Sequence, residues 1–392
     1  MKLKTFFLAI CSLSFCVACW GDGGFQILHQ FDGTNGAVPY GSVTYSDGKL
    51  YGTTVNSDSS GGGGTVYSLN INGSGFSALK SFSNSADGEQ VYNGLTLLGD
   101  ELYGITRIGG ASSYGTLFKI GTDGSGFSVV HDFAGGNDGA KPYSAPTVYG
   151  GKLYGMTLNG ANASGALYCY DPSTQQTQTL HSFSGPGDNP FGSLTLVGQW
   201  LYGMTSDHRS TTEHGNIFRY KPADGAYKVL HNFAGGTAGG YPYDSLAYDG
   251  GNMLYGTTLG YYPFTGETVP LADEGVVFSY NISTNQYAVL HDFAAQSGDG
   301  AKPNSSMLIG GDGWLYGIAH GNEVWGGSEF GTLYRMKPDG GSFEILHTFN
   351  SMENGDVPMR SLTLVDGTIY GTTAYGGQGD GDGYGTVWSY TR

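Results

Sequence analysis

The sequence predicts an all-β protein assembled from seven copies of a four-stranded unit, and three observations support this. The chain of 392 residues contains 70 glycines and 29 tyrosines but only 13 % charged residues, a composition typical of short strands joined by tight turns. A string of the form [LI]-Y-G-x-[TA] occurs seven times. Three further strings keep step with it, so each repeat holds signals for four strands.

The repeat length indicates how the units assemble. Neighbouring copies are separated by 48 residues, between Leu153 and Leu201, to 61 residues, between Leu254 and Leu315. This period suits a four-stranded propeller blade and is too long for one coil of a β-helix. The seven copies begin at Leu50, Leu102, Leu153, Leu201, Leu254, Leu315 and Ile369.

Within each unit we name the strands A to D, with A around "SLTL", B around "LYGTT", C around "GTVY" and D around "LHxF". Antiparallel order places the B–C and D–A connections on one face, here called the loop face, where function is expected. The A–B and C–D turns lie on the opposite face, called the turn face. The strand B glycines are expected to leave room for an aromatic ring from the adjoining strand or blade.

The two ends of the chain predict a closed ring. Residues 25–31 read as a strand D without its own A to C strands, and residues 385–390 read as a final strand C. Pairing them completes the seventh blade and removes two exposed sheet edges. The sequence therefore predicts a seven-bladed β-propeller over residues 25–392, whereas an open solenoid would need polar caps at both ends.

The N-terminus predicts export. Lys2 and Lys4 precede an apolar run from Phe6 to Ala18, so residues 1–19 read as a signal peptide and 20–24 as a short linker. The stretch "CVAC" ending at Cys19 resembles a bacterial lipobox that lacks leucine at its first position, which would make Cys19 a lipidation site. Cleavage without lipidation is the alternative. The expected location is the periplasm, the outer membrane as a lipoprotein, or the cell surface.

The net charge limits the expected classes of partner, and the cysteine content limits the expected number of disulfides. The formal net charge of −16 opposes contact with phosphate backbones and anionic lipid, so nucleic acid is not an expected partner and a membrane is reached only through a lipid anchor. Cys169 is the cysteine that follows the leader, which excludes an extensive disulfide framework. No cofactor or metal is predicted, and a monomer is expected.

The combined pattern "LHxF…G…P-Y…SL…LYGTT…GxGTVF" resembles the GloVer-type tandem repeat of exported bacterial proteins, over residues 25–392. Two copies depart from it locally, with Lys80 in place of the strand D histidine and Ala319 in place of the final threonine. The resemblance implies surface or periplasmic placement with anchors that vary, and it implies no reaction or catalytic residues. The blade length is also distantly similar to that of kelch-type propellers, and this similarity implies only the fold.

Repetition separates scaffold residues from candidate site residues. Six of the nine histidines occupy the same strand D position and are interpreted as structural. The aspartates of the D–A loops recur beside glycine and are expected to cap turns, with a ring of metal sites as the alternative. The histidines are His29, His131, His181, His231, His291 and His347, and the aspartates are Asp87, Asp138, Asp188, Asp299 and Asp356.

The remaining histidines, His208, His214 and His320, lie in B–C loops near the carboxylates of Glu213 and Glu323. Imidazole beside carboxylate could serve acid–base chemistry or a metal. No HExxH, GxSxG or paired CxxC motif accompanies them, so solvated loop residues are the alternative.

Strand A begins at the axis, where the start of each copy carries a small residue. The position before it includes Asn93 and two charges, Asp244 and Arg360, which could orient a polar ligand at the channel mouth or form a simple ion pair. One residue earlier stands an incomplete ring of aromatic residues, which could stack on sugar rings or pack beneath the loops. These are Tyr40, Tyr92, Tyr143, Phe191 and Tyr243.

Two functional hypotheses follow. The first is a binding or scaffolding module at the bacterial envelope that engages a glycan or protein through the loop face. The second is a hydrolase or lyase acting on a polar extracellular substrate through the unique histidines and carboxylates. A purely structural surface repeat is a third interpretation.

Overall fold

The computed structural model describes residues 24–82, 85–160, 164–184, 189–206, 214–260, 274–293, 299–321, 331–349, 354–377 and 383–392. The predicted signal peptide, Cys19 and most of the 20–24 linker lie outside these residues. The described residues form a seven-bladed β-propeller of antiparallel sheets, which confirms the predicted fold class.

Blades 1 to 4 follow one another along the chain in the order A, B, C, D. In blade 3 an additional short strand, β10, pairs with the end of β12. Their strands are β2 (Thr44–Ser46), β3 (Lys49–Thr54), β4 (Thr65–Asn70) and β5 (Ser77–Ser81); β6 (Thr96–Leu98), β7 (Glu101–Thr106), β8 (Thr116–Gly121) and β9 (Ser128–Asp132); β10 (Ala140–Pro142), β11 (Thr147–Tyr149), β12 (Lys152–Asn159), β13 (Ala166–Asp171) and β14 (Gln176–Ser182); β15 (Asn189–Val197), β16 (Trp200–Ser206), β17 (Asn216–Lys221) and β18 (Ala226–Asn232).

Blades 5 and 6 repeat this order, and blade 7 takes its outer strand from the start of the chain. Two 3₁₀ turns, Gly136–Asp138 and Gly236–Ala238, lie in D–A loops. The strands are β19 (Ala247–Tyr248), β20 (Met253–Thr258), β21 (Val276–Asn281) and β22 (Gln286–Asp292); β23 (Leu308–Ile309), β24 (Leu315–Ala319), β25 (Gly331–Met336) and β26 (Phe343–Phe349); β27 (Asp356–Val365), β28 (Thr368–Tyr375), β29 (Thr386–Thr391) and β1 (Phe25–Gln30).

The ring closes as the sequence predicted. Strand β1 pairs antiparallel with β29, with Phe25 opposite Tyr390 and Gln30 opposite Thr386. The terminal Arg392 then reaches blade 6, where its Nη1 donates to the carbonyl of Gly310 at 2.6 Å. Closure therefore joins both ends of the chain to neighbouring strands and covers the edge of β29 that would otherwise be exposed.

The recurring threonine of "SLT" links one blade to the next. In several blades its hydroxyl donates to a backbone carbonyl at the start of the following strand A, as between Thr44 and Leu95 at 2.5 Å and between Thr147 and Leu194 at 2.6 Å. The same bond from Thr363 to Val43 joins blade 7 to blade 1. The motif thus supplies a hydrogen bond that holds the inner strands around the axis.

The strand B glycine leaves room for an aromatic ring, as predicted, and the structure shows that the ring comes from strand C of the same blade. A Cβ atom on any of these glycines would lie closer than 3.0 Å to that ring. The pairs are Gly52 with Tyr67, Gly104 with Phe118, Gly155 with Tyr168, Gly203 with Phe218, Gly256 with Phe278, Gly317 with Tyr334, and Gly371 with Trp388.

The strand D histidines have a structural role between blades. His29 stacks on Phe76 of the next blade with ring centroids 3.9 Å apart. Where Lys80 replaces histidine, its ammonium lies 4.3 Å from the ring centroid of Phe127, at the corresponding place. Equivalent stacks join His181 to Tyr227, His231 to Tyr287, His291 to Phe343, and His347 to Phe25.

Several of the D–A loop aspartates, which were predicted to cap turns, also pair with basic side chains of strand D. The carboxylate of Asp138 lies 3.0 Å from Nε2 of His131, and that of Asp299 lies 2.7 Å from Nε2 of His291. Asp87 pairs with the substituting Lys80 at 2.6 Å. The D–A loop folds back over strand D, so these carboxylates pair with the basic side chain of the strand that precedes them.

One of these histidines gives a pH-dependent stability. Burial lowers the pKa of His29 to about 4, opposed in part by the charge of Asp32. Between pH 6.5 and 4 this histidine is protonated in the unfolded chain, where its pKa is near 6.5, but neutral in the folded chain. The free energy of unfolding therefore falls as the pH drops from about 6.5 to 4. The expected contribution is at most about 3 kcal/mol.

Urea unfolding at pH 7 and pH 4.5 measures this contribution. His29→Phe keeps a ring to stack on Phe76 and should lose less stability on acidification than the wild type. An equal loss in both proteins would show that His29 does not contribute.

Candidate functional site

The predicted aromatic residues form a continuous row around the axis on the loop face. The D–A loops bring each one to the start of an inner strand. Neighbouring ring centroids are 5.4 Å apart for Tyr40 and Tyr92, 5.6 Å for Tyr92 and Tyr143, 5.4 Å for Tyr143 and Phe191, and 4.8 Å for Phe191 and Tyr243. We call these five residues the axial aromatic row. They come from blades 1 to 5.

The row curves across the axis at one end. The hydroxyl groups of Tyr143 and Tyr243 lie 2.7 Å apart, although the residues belong to the non-adjacent blades 3 and 5. Burial raises the pKa of Tyr40, Tyr92 and Tyr243. These phenols therefore stay protonated at neutral pH and can both donate and accept hydrogen bonds.

Arg360 of blade 7 lies against this end of the row. Its guanidinium carbon is 4.9 Å from the ring centroid of Tyr143 and 5.1 Å from that of Tyr243. The side chain is only 2 % exposed. Its Nε, Nη1 and Nη2 atoms are all buried and have no hydrogen-bond partner among the described residues.

Asp244 does not form the hydrogen-bonded ion pair with Arg360 that the sequence allowed. Its carboxylate accepts bonds from the backbone N–H of Ser245 at 2.7 Å and from the hydroxyl of Ser361 at 3.1 Å. The charge of Asp244 still acts on Arg360 through space. Asp244 is thus held by blades 5 and 7, while the guanidinium lies on the tyrosine rings.

Asn93, the other polar residue predicted at the axis, links blades. Its side-chain amide donates to the backbone carbonyl of Tyr143, and its backbone carbonyl accepts from the hydroxyl of Thr53 at 2.7 Å. Its amide nitrogen is therefore occupied by a contact that positions the aromatic row.

The catalytic candidates are only partly described. His208, Glu213 and Glu323 lie outside the described residues. His214 contacts Tyr241 edge-on, with ring centroids 5.2 Å apart. His320 lies beside Lys302, to whose carbonyl its backbone N–H donates at 3.4 Å. Burial lowers the pKa of His320 to about 4, so its imidazole is neutral at neutral pH.

The structure does not bring His214 and His320 into one reactive group. Each packs against a different D–A loop, and no hydrogen bond or ring contact in the described part of the chain joins them. The described residues also contain no group of three or more histidine, cysteine, aspartate or glutamate side chains placed to hold a metal ion.

Sequence reasoning missed two features. Lys302 pairs with Glu274 at 3.1 Å, and both side chains are largely buried beneath the loop face. A cleft of about 310 Å³ lies on the turn side of blades 2 and 3, where Glu101 binds Lys119 at 2.5 Å and the hydroxyl of Tyr103 at 2.8 Å. In the D–A loops lysine precedes proline at 141 and 302, and this recurrence is a sequence signal for the first feature.

Within the described ranges no helix combines the length and apolar character needed to cross a bilayer. The fold and this site define a closed β-propeller of tandem repeats with an aromatic row at the loop-face end of its axis. Residues 17–213 and 207–392 match the model of the Gloeobacter/Verrucomicrobia repeat, and the chain belongs to that family.

Solved structures similar to this chain share its fold. An oligogalacturonate lyase from Vibrio parahaemolyticus is 13 % identical over 94 % of this chain and 93 % of its own, with a TM-score of 0.55. The extracellular domain of the one-component system BT4673 from B. thetaiotaomicron is 14 % identical over 92 % of this chain and 40 % of its own, with a TM-score of 0.53.

TolB from Acinetobacter baumannii is 15 % identical over 75 % of this chain, which spans 62 % of the TolB length, with a TM-score of 0.44. No curated protein sequence matches the chain. At identities of 13 and 14 %, the likeness to the lyase and to the BT4673 domain concerns the fold and not the chemistry.

Proposed function

We propose that this protein is an exported glycan-binding propeller that engages its ligand at the axial aromatic row on the loop face. The observation that carries the proposal is the continuity of that row around blades 1 to 5. Aromatic faces offer rigid apolar surface for the C–H faces of sugar rings, while the phenol groups supply hydrogen bonds. Tyr40, Tyr92, Phe191 and Tyr243 are only half-buried, which supports access from the loop face.

Polar groups beside the row suit a hydroxylated ligand. The guanidinium carbon of Arg107 lies 5.5 Å from the ring centroid of Tyr92, and its Nη1 donates to the side chain of Gln90 at 3.4 Å. Binding sites of this kind combine aromatic surface with a few polar groups that fix orientation. The predicted signal peptide and the family membership support placement outside the cytoplasm.

A glycan-binding screen of the mature chain tests the proposal. Tyr92→Ala and Phe191→Ala should each weaken binding of the glycan that the wild type selects by at least tenfold, about 1.4 kcal/mol. Tyr45→Ala is the matched control, because Tyr45 is an exposed aromatic residue beside the A–B turn of blade 1. Isothermal titration calorimetry gives the affinities, and thermal unfolding shows that each variant folds.

The proposal fails if the mature chain binds no glycan in the screen, or if both row variants bind as tightly as the Tyr45→Ala control. A wild type that instead binds a purified protein partner, unaffected by either row substitution, would favour a scaffolding role.

A further inference from the structure

Arg360 has two energetically unfavourable features, one in its side chain and one in its backbone, that the equivalent residues of the other blades do not share. Its guanidinium is buried with every nitrogen unpartnered among the described residues. Its backbone also has a φ of +58°, in the left-handed region that favours glycine, and the equivalent residue of blade 4 is Gly192, with a φ of +75°. A non-glycine residue held in this conformation needs support from its surroundings.

The contacts around Arg360 compensate its charge only in part. The rings of Tyr143 and Tyr243 attract the cation through their π faces. They accept none of its five N–H groups, and a buried donor without an acceptor is unfavourable. Asp244 does not supply the missing acceptor in this arrangement: its carboxylate accepts bonds from Ser245 and Ser361, and no guanidinium nitrogen of Arg360 donates to it.

The missing group is an acceptor that matches a guanidinium. A carboxylate fits best, since its two oxygens accept two parallel N–H bonds from the planar fork of arginine. The axial aromatic row lies directly beside this position. A ligand that carries a carboxylate on a sugar ring would satisfy both features together.

We propose that Arg360 forms an anion subsite at the axial aromatic row and that the ligand is an acidic glycan whose uronic-acid carboxylate pairs with this guanidinium. This inference rests on the proposed glycan-binding function. The rings of Tyr143 and Tyr243 cover the guanidinium, so entry of the carboxylate parts the 2.7 Å contact between their hydroxyl groups. The new charge-assisted bonds replace that single neutral bond.

If Arg360 is an anion subsite, replacing it with methionine should weaken ligand binding without lowering the stability of the fold. Arg360→Met removes an uncompensated buried charge and keeps the volume of the side chain, so its melting temperature should equal or exceed that of the wild type. The same variant should lose binding of the acidic glycan. A residue that only holds the fold together would instead lower the melting temperature when replaced.

The experiment compares two probes by calorimetry: an oligosaccharide of uronic acids and the same oligosaccharide after reduction of its carboxyl groups to alcohols. The wild type should bind the acidic probe at least tenfold more tightly than the reduced probe, and added salt should narrow the difference. Arg360→Met should bind both probes with equal, weak affinity.

Arg335→Met is the matched control. Arg335 is also an arginine on an aromatic ring, 4.3 Å from the centroid of Trp314, but it pairs with Glu344 on the outer part of blade 6. Its replacement should leave the preference for the acidic probe unchanged. If Arg360→Met does not fold, Arg360→Lys replaces it, with the preference expected to fall several-fold because lysine keeps the charge without the planar fork.

A wild type that binds both probes equally overturns the anion subsite and leaves the glycan-binding function standing. A preference for the acidic probe that is as large at Arg360→Met or Arg360→Lys as in the wild type also overturns it. A wild type that binds neither probe, while it binds other glycans in the screen, overturns the choice of ligand alone; failure of the whole screen overturns the proposed function.

Discussion

Replacing Phe31 with alanine is expected to destabilise the propeller by about 3–5 kcal/mol. Phe31 follows β1 and is fully buried. Its ring packs edge-on against Tyr67 at 5.3 Å, in the core between blades 7 and 1 that also contains Val387. Its backbone N–H donates to the carbonyl of Gly385 at 3.0 Å. The substitution therefore leaves a cavity where the first segment of the chain closes the ring.

Urea unfolding measures the loss of stability in Phe31→Ala, and two control variants show whether that loss is specific to ring closure. Gln26→Ala alters an exposed residue of the same strand and should change stability by less than about 0.5 kcal/mol. Phe183→Ala removes the equivalent buried ring between blades 3 and 4, where the chain is continuous. Both phenylalanine variants should lose similar stability, but only Phe31→Ala should expose residues 24–31 to limited proteolysis. A Phe31→Ala protein as stable as Gln26→Ala would contradict this account of closure.

Replacing Gly52 with alanine is expected to cost about 2–3 kcal/mol. The new methyl group would lie closer than 3.0 Å to the hydroxyl and ring of Tyr67. Tyr67 is fully buried between Phe31 and Phe76, so its ring cannot move without displacing a packed neighbour. The clash arises in every blade, because each strand B glycine faces a strand C ring.

A double-mutant cycle with Tyr67→Leu tests the cause of this loss. Removing the ring removes the clash, so Gly52→Ala should cost much less in the Tyr67→Leu background than in the wild type. Gly48→Asn is the control, because Gly48 has a φ of +77° with no atom near its side-chain position, and asparagine tolerates that conformation. Additive losses in the cycle would rule out the ring as the cause.

The repeat architecture can be read directly from the sequence. Strand order and blade number follow from short strings that recur in the same order in every repeat. Closure follows from the two ends of the chain, because a strand D at one end and a strand C at the other belong to one blade. The same repetition separated the strand D histidines from His214 and His320, and it placed the axial aromatic row at the start of the inner strands. These features depend on local period and order along the chain, which a single sequence displays.

Which side chains contact one another depends on the tertiary structure. It assigned the ring over each strand B glycine to strand C, paired Asp138 and Asp299 with strand D histidines, and placed Arg360 on Tyr143 and Tyr243 while serines engaged Asp244. The contacts of Arg360 and Asp244 join residues from different blades, across the axis between blades 3, 5 and 7. Their distances are set by the curvature of the closed ring and by the left-handed backbone at Arg360, which no local pattern in one repeat encodes.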